Sequence, residues 1–425
     1  MLDDRPAVPG RVSESPGMAT SQSRLSAKER LGVLILSAGV GRGHDAAAEN
    51  LREELLGARP GLAVRVGNGL GSTRGVGRLF LERFSRWQLI RCPRVYSILY
   101  WLGIRWAPGR WLGSRLLYLS SRRRLRSIVG EHRPEVVVCT YPGVTSALAM
   151  MRARGELDVP LCSVITDLAS LHFWSHPGVD LHLLSYGESQ AEVGRIAPAS
   201  RAQVVRPPLG SSHWLPRGRA TACENLGLDP AVPLVVISGG GWGIGDLSGA
   251  VDAALELNDV QVVAVCGENG AASAGLRARF GGEPRVRVLD FSHQMPDLLT
   301  AASVLVHCTG GMTCLEAAVH GCPVIAYGMC VGHIAYNTSA MVNLGLVEEA
   351  KDLAQLSRLL RDTIARPRPR TSPIRARPSA AAAVLGLLPR REDTTAGVSP
   401  QPAHERFPAP GSALPALDLA AATEG

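Results

Sequence analysis

Glycines cluster at three points where an apolar run meets a helical pattern, and each cluster could bind an anion. The first is Gly39-Val-Gly-Arg-Gly43, which is followed directly by His44. The other two are Ser238-Gly-Gly-Gly-Trp-Gly243 and Thr309-Gly-Gly-Met-Thr313. Glycine lets the backbone pass close to a ligand, and N–H groups at a helix N-terminus attract negative charge. Two such loops in the second half of the chain suit a diphosphate.

The first glycine loop does not have the spacing of a dinucleotide site. Its glycines follow G-x-G-x-G, whereas the Rossmann fingerprint needs G-x-G-x-x-G and an acidic residue that ends the second strand. The second predicted strand ends Val66-Gly67-Asn68, without an acidic residue. We therefore do not expect NAD. His44 has two interpretations, a structural histidine at a helix N-terminus or a base beside a bound hydroxyl.

The third loop opens a helix that carries further polar groups. Gly310 and Gly311 allow backbone N–H groups to approach phosphate, and Thr313 could cap the helix or bind phosphate itself. Glu316 lies one turn into the helix, where it could reach ribose hydroxyls. The alternative is a glycine-rich turn between a strand and a helix, with a solvated glutamate.

Apolar runs alternate with helical patterns along the chain, which is typical of parallel sheets covered by helices. The strands predicted in the first half are Leu31–Ser37, Ala63–Val66, Val136–Thr140 and Leu161–Thr166. Those predicted in the second half are Leu234–Ser238, Val260–Cys266, Val286–Leu289, Val304–His307 and Val324–Tyr327. Helices are predicted from about His44 and over Leu247–Leu257, Met295–Ala302 and Thr313–His320.

This pattern predicts an α/β protein with two Rossmann-like domains, residues 30–205 and residues 220–365. A stretch rich in Pro, Gly and Ser at 206–219 is the predicted linker. Residues 1–29 and 366–425 are expected to be disordered tails because of their composition. Within the second tail, Ser379–Leu388 is a possible short helix that could dock on the first domain, and Pro389 would end it.

Composition excludes several classes of protein. At 425 residues the chain is long enough for two domains, and no apolar run reaches the roughly 18 residues of a membrane span. The first 28 residues lack the apolar core of roughly 7–15 residues that a secretory signal needs, so a cytoplasmic protein is expected. The nine cysteines are scattered without CxxC pairs, so we expect neither a metal site nor disulfides.

Basic and aromatic residues are interleaved between positions 74 and 133. This window holds fourteen arginines against two glutamates, and it includes the run Arg122, Arg123 and Arg124. It also holds four of the seven tryptophans, Trp87, Trp101, Trp106 and Trp111. Such a segment favours a peripheral contact with an anionic membrane surface. The alternative is a pair of amphipathic helices with solvated arginines. Nothing else in the chain supports nucleic-acid binding.

Three stretches together resemble a known family. They are SAGVGRGHDAAA, VITDLASLHFWSHPGVD and FSHQMPDLLTAASVLVHCTGGMTCLEAAVHGCPVIAY. They resemble the monogalactosyldiacylglycerol synthases and processive diacylglycerol glucosyltransferases, relatives of the MurG transferase, over Leu31–Glu348. The resemblance implies a GT-B fold, in which two Rossmann-like domains face a central cleft. It also implies an inverting transfer of a hexose from a UDP-sugar to a lipid acceptor, with no metal and no cofactor beyond the donor substrate.

The resemblance implies roles for particular residues. His44 and Asp167 match the catalytic positions, with His44 favoured as the base and Asp167 as base or orienting carboxylate. Gly41 and Gly43 belong to the loop on the acceptor side. The donor and its phosphates are assigned to Gly239, Gly240, Gly241, Gly310, Gly311, Met312, Thr313, Glu316, His333 and Asn337. The basic aromatic segment would hold the protein on the inner face of the cell membrane.

Two departures from the family pattern leave the sugar open. Where relatives often read K-P-G-G, this chain reads Cys308-Thr309-Gly310-Gly311. Where they read G-Q-E-x-x-N, it reads Gly332-His333-Ile334-Ala335-Tyr336-Asn337. Two other functions therefore stay open beside transfer to diacylglycerol. One is an enzyme similar to UDP-GlcNAc 2-epimerase, and the other is a catalytically silent, membrane-associated protein that binds UDP-sugars.

Overall fold

The computed structural model describes residues 31–39, 42–70, 92–308, 310–329, 331–367 and 372–389. These residues form two six-stranded sheets with helices on their faces. Both sheets belong to one compact unit that ends at Leu388. Residues 1–29, Gly41, Trp87, Thr309 and most of 366–425 lie outside the described residues.

Strands and helices alternate in the first half of the chain. The strands are β1 Val33–Ser37, β2 Val64–Asn68, β3 Val136–Cys139, β4 Leu161–Ile165, β5 Leu181–Leu184 and β6 Arg201–Val204. The helices are α1 Arg42–Ala58, α2 Pro93–Tyr100, α3 Ala107–His132, α4 Pro142–Ala153 and α5 Gln190–Ile196. A π-helical segment, Trp101–Arg105, joins α2 to α3. The strands pair in the order β2-β1-β3-β4-β5-β6, all parallel.

The second half repeats this alternation. Its strands are β7 Leu234–Ser238, β8 Gln261–Val265, β9 Val286–Leu289, β10 Val304–His307, β11 Val324–Ala326 and β12 Glu348–Glu349. Its helices are α6 Arg219–Leu226, α7 Leu247–Leu255, α8 Gly270–Phe280, α9 Met295–Ala301, α10 Met312–Val319, α11 Gly332–Asn343, α12 Leu353–Ala365 and α13 Ala380–Leu385. The parallel strands run in the order β12-β11-β10-β7-β8-β9.

The central strands are mostly apolar and are buried along their whole length because helices cover both faces of each sheet. Every residue of β1, β3, β4, β7 and β10 is buried. The nine strands predicted from the sequence are confirmed, with ends that shift by at most two residues. Three further strands, β5, β6 and β12, are not predicted. β6 is a half-exposed edge strand containing arginine and glutamine, and β12 has only two residues.

Each sheet has a point where its strand order reverses. In the first sheet β1 lies between β2 and β3, and in the second sheet β7 lies between β8 and β10. At such a point neighbouring connections leave on opposite faces, so a crevice opens beyond the carboxyl ends of the strands. His44 follows β1, whereas Gly239 follows β7 and Gly310 follows β10. The topology therefore brings the glycine loops to the two crevices.

The last helix returns from the second sheet to the first. Ser379 caps α13 by accepting the N–H of Ala382, and Ala380, Ala381 and Val384 are buried in the core that α1 shares with the first sheet. The backbone of the returning segment is fixed by the N–H of Arg206, which donates to Pro378. The α13 segment therefore completes the core between α1 and the first sheet.

Candidate active site

His44 lies in the first turn of α1, directly after the glycine loop. Its imidazole packs edge-on against Tyr141 with ring centroids 5.2 Å apart, and against Trp174 at 5.6 Å. Burial lowers the pKa of His44 below 6.5, although the carboxylates of Asp167 and Asp45 act in the opposite direction. The ring is therefore mainly uncharged at neutral pH, which is the form that can accept a proton.

Asp45 holds the first glycine loop in place beside His44. Its carboxylate accepts hydrogen bonds from the Ser37 hydroxyl and from the N–H of Gly39. Because Ser37 ends β1, one side chain ties together the strand, the loop and the helix. Sequence reasoning misses Asp45, since an acidic residue in the first turn of a helix is already explained by the helix dipole.

Asp167 lies two residues after β4, in the loop that carries the second family motif. Its Oδ2 accepts a hydrogen bond from the indole Nε1 of Trp174 at 2.8 Å. Because Trp174 also packs on the His44 ring, it links the two predicted catalytic residues. Burial lowers the pKa of both His44 and His333, and the Asp167 carboxylate opposes that effect at each ring. One carboxylate therefore acts on both imidazoles.

Two tyrosines of α2 form part of the wall of the cleft. The hydroxyl of Tyr96 lies 3.1 Å from Nδ1 of His333, and that of Tyr100 lies 2.8 Å from Oγ of Ser170. The Tyr100 ring also stands 5.8 Å from the ring of Tyr336. The basic aromatic segment thus reaches the cleft through α2. The sequence alone does not reveal this, because residues 96 and 333 are distant along the chain.

Both glycine loops of the second domain stand at the reversal point of its sheet. Gly240 and Gly311 have left-handed backbone, with φ of 65° and 95°, which glycine adopts without strain. A Cβ on Gly239 would lie 2.5 Å from the carbonyl oxygen of Ile244, so the loop after β7 folds closely on itself. The loop after β10 leads into α10, whose first N–H groups lack partners within the helix. Backbone donors are therefore available for an anion.

Glu316 lies one turn into α10, beside two histidines. Nε2 of His213 is 3.8 Å from Oε1 of Glu316, and Nδ1 of His213 is 3.1 Å from Nε2 of His320. The Thr300 hydroxyl donates to the carbonyl of Pro296, and its oxygen lies 2.9 Å from Nδ1 of His320. Because the Thr300 oxygen accepts from Nδ1–H of a neutral His320, Nε2 of His320 is an acceptor. A neutral His213 then donates from Nδ1 to His320 and presents Nε2 to Glu316 as an acceptor.

Arg42 begins α1 and lines the cleft beside the second-domain loops. Its Nε lies 3.1 Å from Oε1 of Glu268, and its guanidinium lies 5.1 Å from the centre of the Phe291 ring. A Cβ on Gly241 would come within 2.7 Å of the Arg42 Cβ, so this approach requires glycine. Arg42 is the only arginine or lysine among the described residues that line the cleft. The sequence alone does not single out Arg42, because it stands at one of the unspecified positions between the glycines of the first loop.

Asn337 is engaged in contacts within the protein. Its Oδ1 accepts the N–H groups of Leu168 and Ala169 at 2.8 and 3.2 Å, and its Nδ2 donates to the carbonyl of His333. Asn337 therefore ties the second domain to the loop after β4. Cys308, which stands where relatives often carry lysine, is 4% exposed and donates its S–H to a backbone carbonyl. Position 308 supplies no charge to the cleft.

The cleft contains two adjoining cavities of about 390 Å³ each. Both are lined by Arg42, Gly43, Gly240, Gly241 and Met312. The first is also lined by His44, Asp167, Gly239, Gly310, Gly311, His333 and Asn337. The second is also lined by Thr313 and Glu316. The fold therefore brings the predicted catalytic and donor residues into one cleft. Gly41 is the exception, since it lies outside the described residues.

Each half of the chain matches a known protein family. Residues 44–197 match the family described as monogalactosyldiacylglycerol (MGDG) synthase, and residues 234–366 match the glycosyltransferase family 28 C-terminal domain. A crystal structure of MurG from Acinetobacter baumannii superposes with a TM-score of 0.52 at 17% identity, covering 84% of this chain and 98% of that one. The chain has the GT-B fold, and its two halves match these two families. The fold and the family that the motifs suggest are thereby confirmed.

Two curated relatives of this chain cover both domains. Monogalactosyldiacylglycerol synthase 1 of Arabidopsis thaliana is 25% identical over 355 residues, which are 78% of this chain and 64% of that protein. Processive diacylglycerol beta-glucosyltransferase of Bacillus subtilis is 25% identical over 309 residues, which are 69% of this chain and 77% of that protein. The chain thus spans slightly less than two thirds of the plant relative and about three quarters of the bacterial one.

The predicted membrane residues lie on or just before α3. Trp101, Trp106 and Trp111 are 47%, 47% and 64% exposed. Arg123 and Arg124 are exposed as well, whereas the guanidinium of Arg122 lies over the ring of Tyr118. Trp87 falls outside the described residues. Among the helices that the structure describes, none is both long and apolar enough to span a bilayer.

Proposed function

We propose that the chain transfers a hexose from a UDP-sugar to the hydroxyl of diacylglycerol, with inversion at the anomeric carbon. The observation that carries this proposal is a single cleft that joins His44 and Asp167 of the first domain to the glycine loops of the second. The names of the relatives from Arabidopsis thaliana and Bacillus subtilis support the choice of acceptor. We assign the protein to the cytoplasm, as a peripheral protein on the inner face of the cell membrane.

In this mechanism His44 accepts the proton of the acceptor hydroxyl while the hydroxyl oxygen attacks the anomeric carbon. The bond from that carbon to the diphosphate oxygen breaks, and its electron pair leaves with UDP. Asp167 stabilises the imidazolium that forms at His44. Arg42 and the N–H groups at the start of α10 stabilise the charge on the leaving diphosphate. This route uses the UDP-sugar as donor substrate and requires no further cofactor.

Glu316 is proposed to accept hydrogen bonds from the ribose of the donor, which makes donor binding depend on pH. Burial raises the pKa of Glu316 to about 7, so its carboxylate is lost as the pH falls through 7. We expect the affinity for UDP-glucose to rise between about pH 6 and pH 8. Glu316→Gln should weaken binding about 10- to 100-fold at the higher pH and remove this pH dependence. Calorimetry at three pH values measures both effects.

The matched control for this measurement is Glu224→Gln, which changes an exposed glutamate on α6 in the same domain. It should bind UDP-glucose as the natural chain does at every pH. If Glu316→Gln keeps the pH dependence of the natural chain, Glu316 does not contact the ribose.

An exposed apolar surface supports the choice of a lipid acceptor. On α2 and the π-helical segment, the exposed apolar side chains recur at helical spacing and are Val95, Ile98, Leu99 and Leu102. On α3 they are Leu112, Leu116 and Leu119, beside the exposed tryptophans. Apolar side chains at helical spacing can insert between lipid headgroups, where tryptophan is also favoured. Because α2 also lines the cleft, this surface would bring the cleft to the lipid.

The double variant Trp106→Ala and Leu116→Ala should weaken binding to phosphatidylcholine vesicles about tenfold or more. Burying one large apolar side chain contributes about 1.5–3 kcal/mol, and both side chains are about half exposed in the protein. Vesicle flotation measures the bound fraction. The control variant Leu344→Ala and Leu353→Ala removes two exposed leucines of the second domain and should bind like the natural chain. Equal losses in both variants would remove this surface as the membrane contact.

The proposed reaction is tested by incubating the purified chain with diacylglycerol vesicles and a panel of labelled UDP-sugars. Label that passes into the lipid extract with at least one donor supports the proposal. Conversion of the free UDP-sugar in the absence of lipid would instead indicate an epimerase. Donor binding without turnover would indicate a silent binding protein.

A further inference from the structure

A further cavity, larger than either cavity of the cleft, lies outside the cleft. It has a volume of about 890 Å³ and lies entirely within the first domain. Its walls are the N-terminal part of α3, the helix α4, the loop 172–177 and the helix α5. It shares no lining residue with either cavity of the cleft. The proposed transfer reaction therefore leaves this cavity without a role.

Five arginines line this basic cavity, and a single carboxylate accompanies them. The arginines are Arg105, Arg110, Arg115, Arg154 and Arg195. None of them forms an ion pair with any carboxylate in the part of the chain that the structure describes. The carboxylate is Glu192, whose two oxygens accept the N–H groups of Ser170 and Leu171 at 3.2 and 3.0 Å. The cavity therefore carries a surplus of positive charge.

Burial and three of these arginines lower the pKa of His172, a histidine in the cavity wall. The pKa of His172 is lowered by burial and further by the guanidinium groups of Arg110, Arg105 and Arg195, while Glu192 opposes them. A neutral His172 can donate one hydrogen bond and accept another. This wall thus combines a fixed positive potential with a polar group at its surface.

One buried hydroxyl in the wall of the basic cavity has no hydrogen-bond partner. Ser175 lines the basic cavity and is 1% exposed, and its Oγ has no hydrogen-bond partner. Next to it, Nδ1 of His176 accepts the N–H of Gly178 at 3.0 Å, so a neutral His176 carries its proton on Nε2. A buried hydroxyl without a partner is unfavourable, and a ligand oxygen would supply the missing hydrogen bond. The cavity wall therefore offers hydrogen-bonding groups to a polar ligand.

We propose that the basic cavity binds a phosphate ester, carried by the headgroup of an anionic phospholipid or by a soluble phosphomonoester. Guanidinium groups match the oxygens of phosphate in charge and geometry, and they stay charged at all physiological pH values. Trp111, which is 64% exposed, lies on the cavity wall and also belongs to the exposed apolar surface. This position favours a headgroup whose acyl chains remain in the bilayer.

The test uses the full chain with two probes that separate the sources of phosphate. Glycerol 3-phosphate is titrated by calorimetry, and phosphatidylcholine vesicles with and without phosphatidic acid are used in flotation. We expect Arg115→Gln with Arg195→Gln to lower the affinity about tenfold or more, because two charge-assisted hydrogen bonds to the phosphate would be lost. Both side chains are exposed, so the double variant should fold. Ser175→Ala should also weaken binding of whichever probe binds.

The matched control is Arg358→Gln with Arg361→Gln, which removes the same charge from the exposed face of α12. It should bind both probes as the natural chain does. Binding of acidic vesicles alone assigns the site to a lipid headgroup, and binding of glycerol 3-phosphate alone assigns it to a soluble ester. If neither probe binds, or if the two double variants lose the same affinity, the proposal is wrong. Because binding is measured, the result does not depend on the transfer reaction.

Discussion

Replacing His44 by alanine should lower kcat for sugar transfer to diacylglycerol about 100- to 10,000-fold, the range typical of losing a general base. The KM for the UDP-sugar should change little, because His44 is proposed to act on the acceptor hydroxyl. With saturating UDP-sugar, kcat of the natural chain should fall only below the ordinary histidine pKa of about 6.5, because burial lowers the pKa of His44 and keeps the ring mainly neutral above that pH. Initial rates of label transfer to lipid, measured against pH, test both statements.

Two further variants separate the role of His44 from that of its neighbours. His132→Ala removes an imidazole at the end of α3 that lines neither cavity of the cleft, and it should leave the rate unchanged. Asp167→Asn should lower kcat less than His44→Ala, because it removes the charge that stabilises the imidazolium but leaves the base. An active His44→Ala variant beside an inactive Asp167→Asn variant would assign the base to Asp167.

Replacing Arg42 by alanine should lower kcat/KM about 100- to 1,000-fold, comparable to the loss of one donor that stabilises developing negative charge. Arg42 is the only arginine or lysine among the described cleft residues, and the uncharged Cys308 is buried. Arg42→Lys should recover part of the rate, because the charge remains but the second donor nitrogen is lost. Steady-state rates and calorimetry with UDP measure the effects on catalysis and on binding.

The control for Arg42 must also remove one arginine near α1. Arg59→Ala changes an exposed arginine just after the end of α1 and should keep the rate of the natural chain. Glu268→Gln removes the present partner of Arg42 and should keep or raise the affinity for UDP. If Arg42→Ala and Arg59→Ala have the same rate, Arg42 does not contact the diphosphate.

The parallel strands could be predicted from sequence because each is a continuous apolar run that ends in glycine or polar residues. The same signal located His44 and the loops at Gly239 and Gly310, since ligand loops follow strand ends. β5 and β6 were beyond this reasoning. β5 contains leucine and histidine but no β-branched residue, and the burial of β6 alternates because it lies at an edge.

The contacts that join distant parts of the chain could not be predicted in the same way. Trp174 links His44 to Asp167, and Tyr96 reaches His333 across 237 positions of sequence. Neither pair follows a local spacing, so only the packed fold reveals it. For Asn337 the resemblance predicts a contact with the donor, but the fold uses its amide within the protein. Its Oδ1 accepts the N–H of Leu168 in the first domain, and its Nδ2 donates to the carbonyl of His333.

Transfer of a sugar from a UDP-sugar to a lipid hydroxyl is tested most directly by the stoichiometry of the reaction. The purified chain is mixed with diacylglycerol vesicles and the labelled UDP-sugar that gives the highest rate, and the UDP released and the label in the lipid are measured together. We expect equal amounts of both at every time, with no release of UDP from vesicles that lack diacylglycerol. Consumption of the UDP-sugar without label in the lipid would contradict the account.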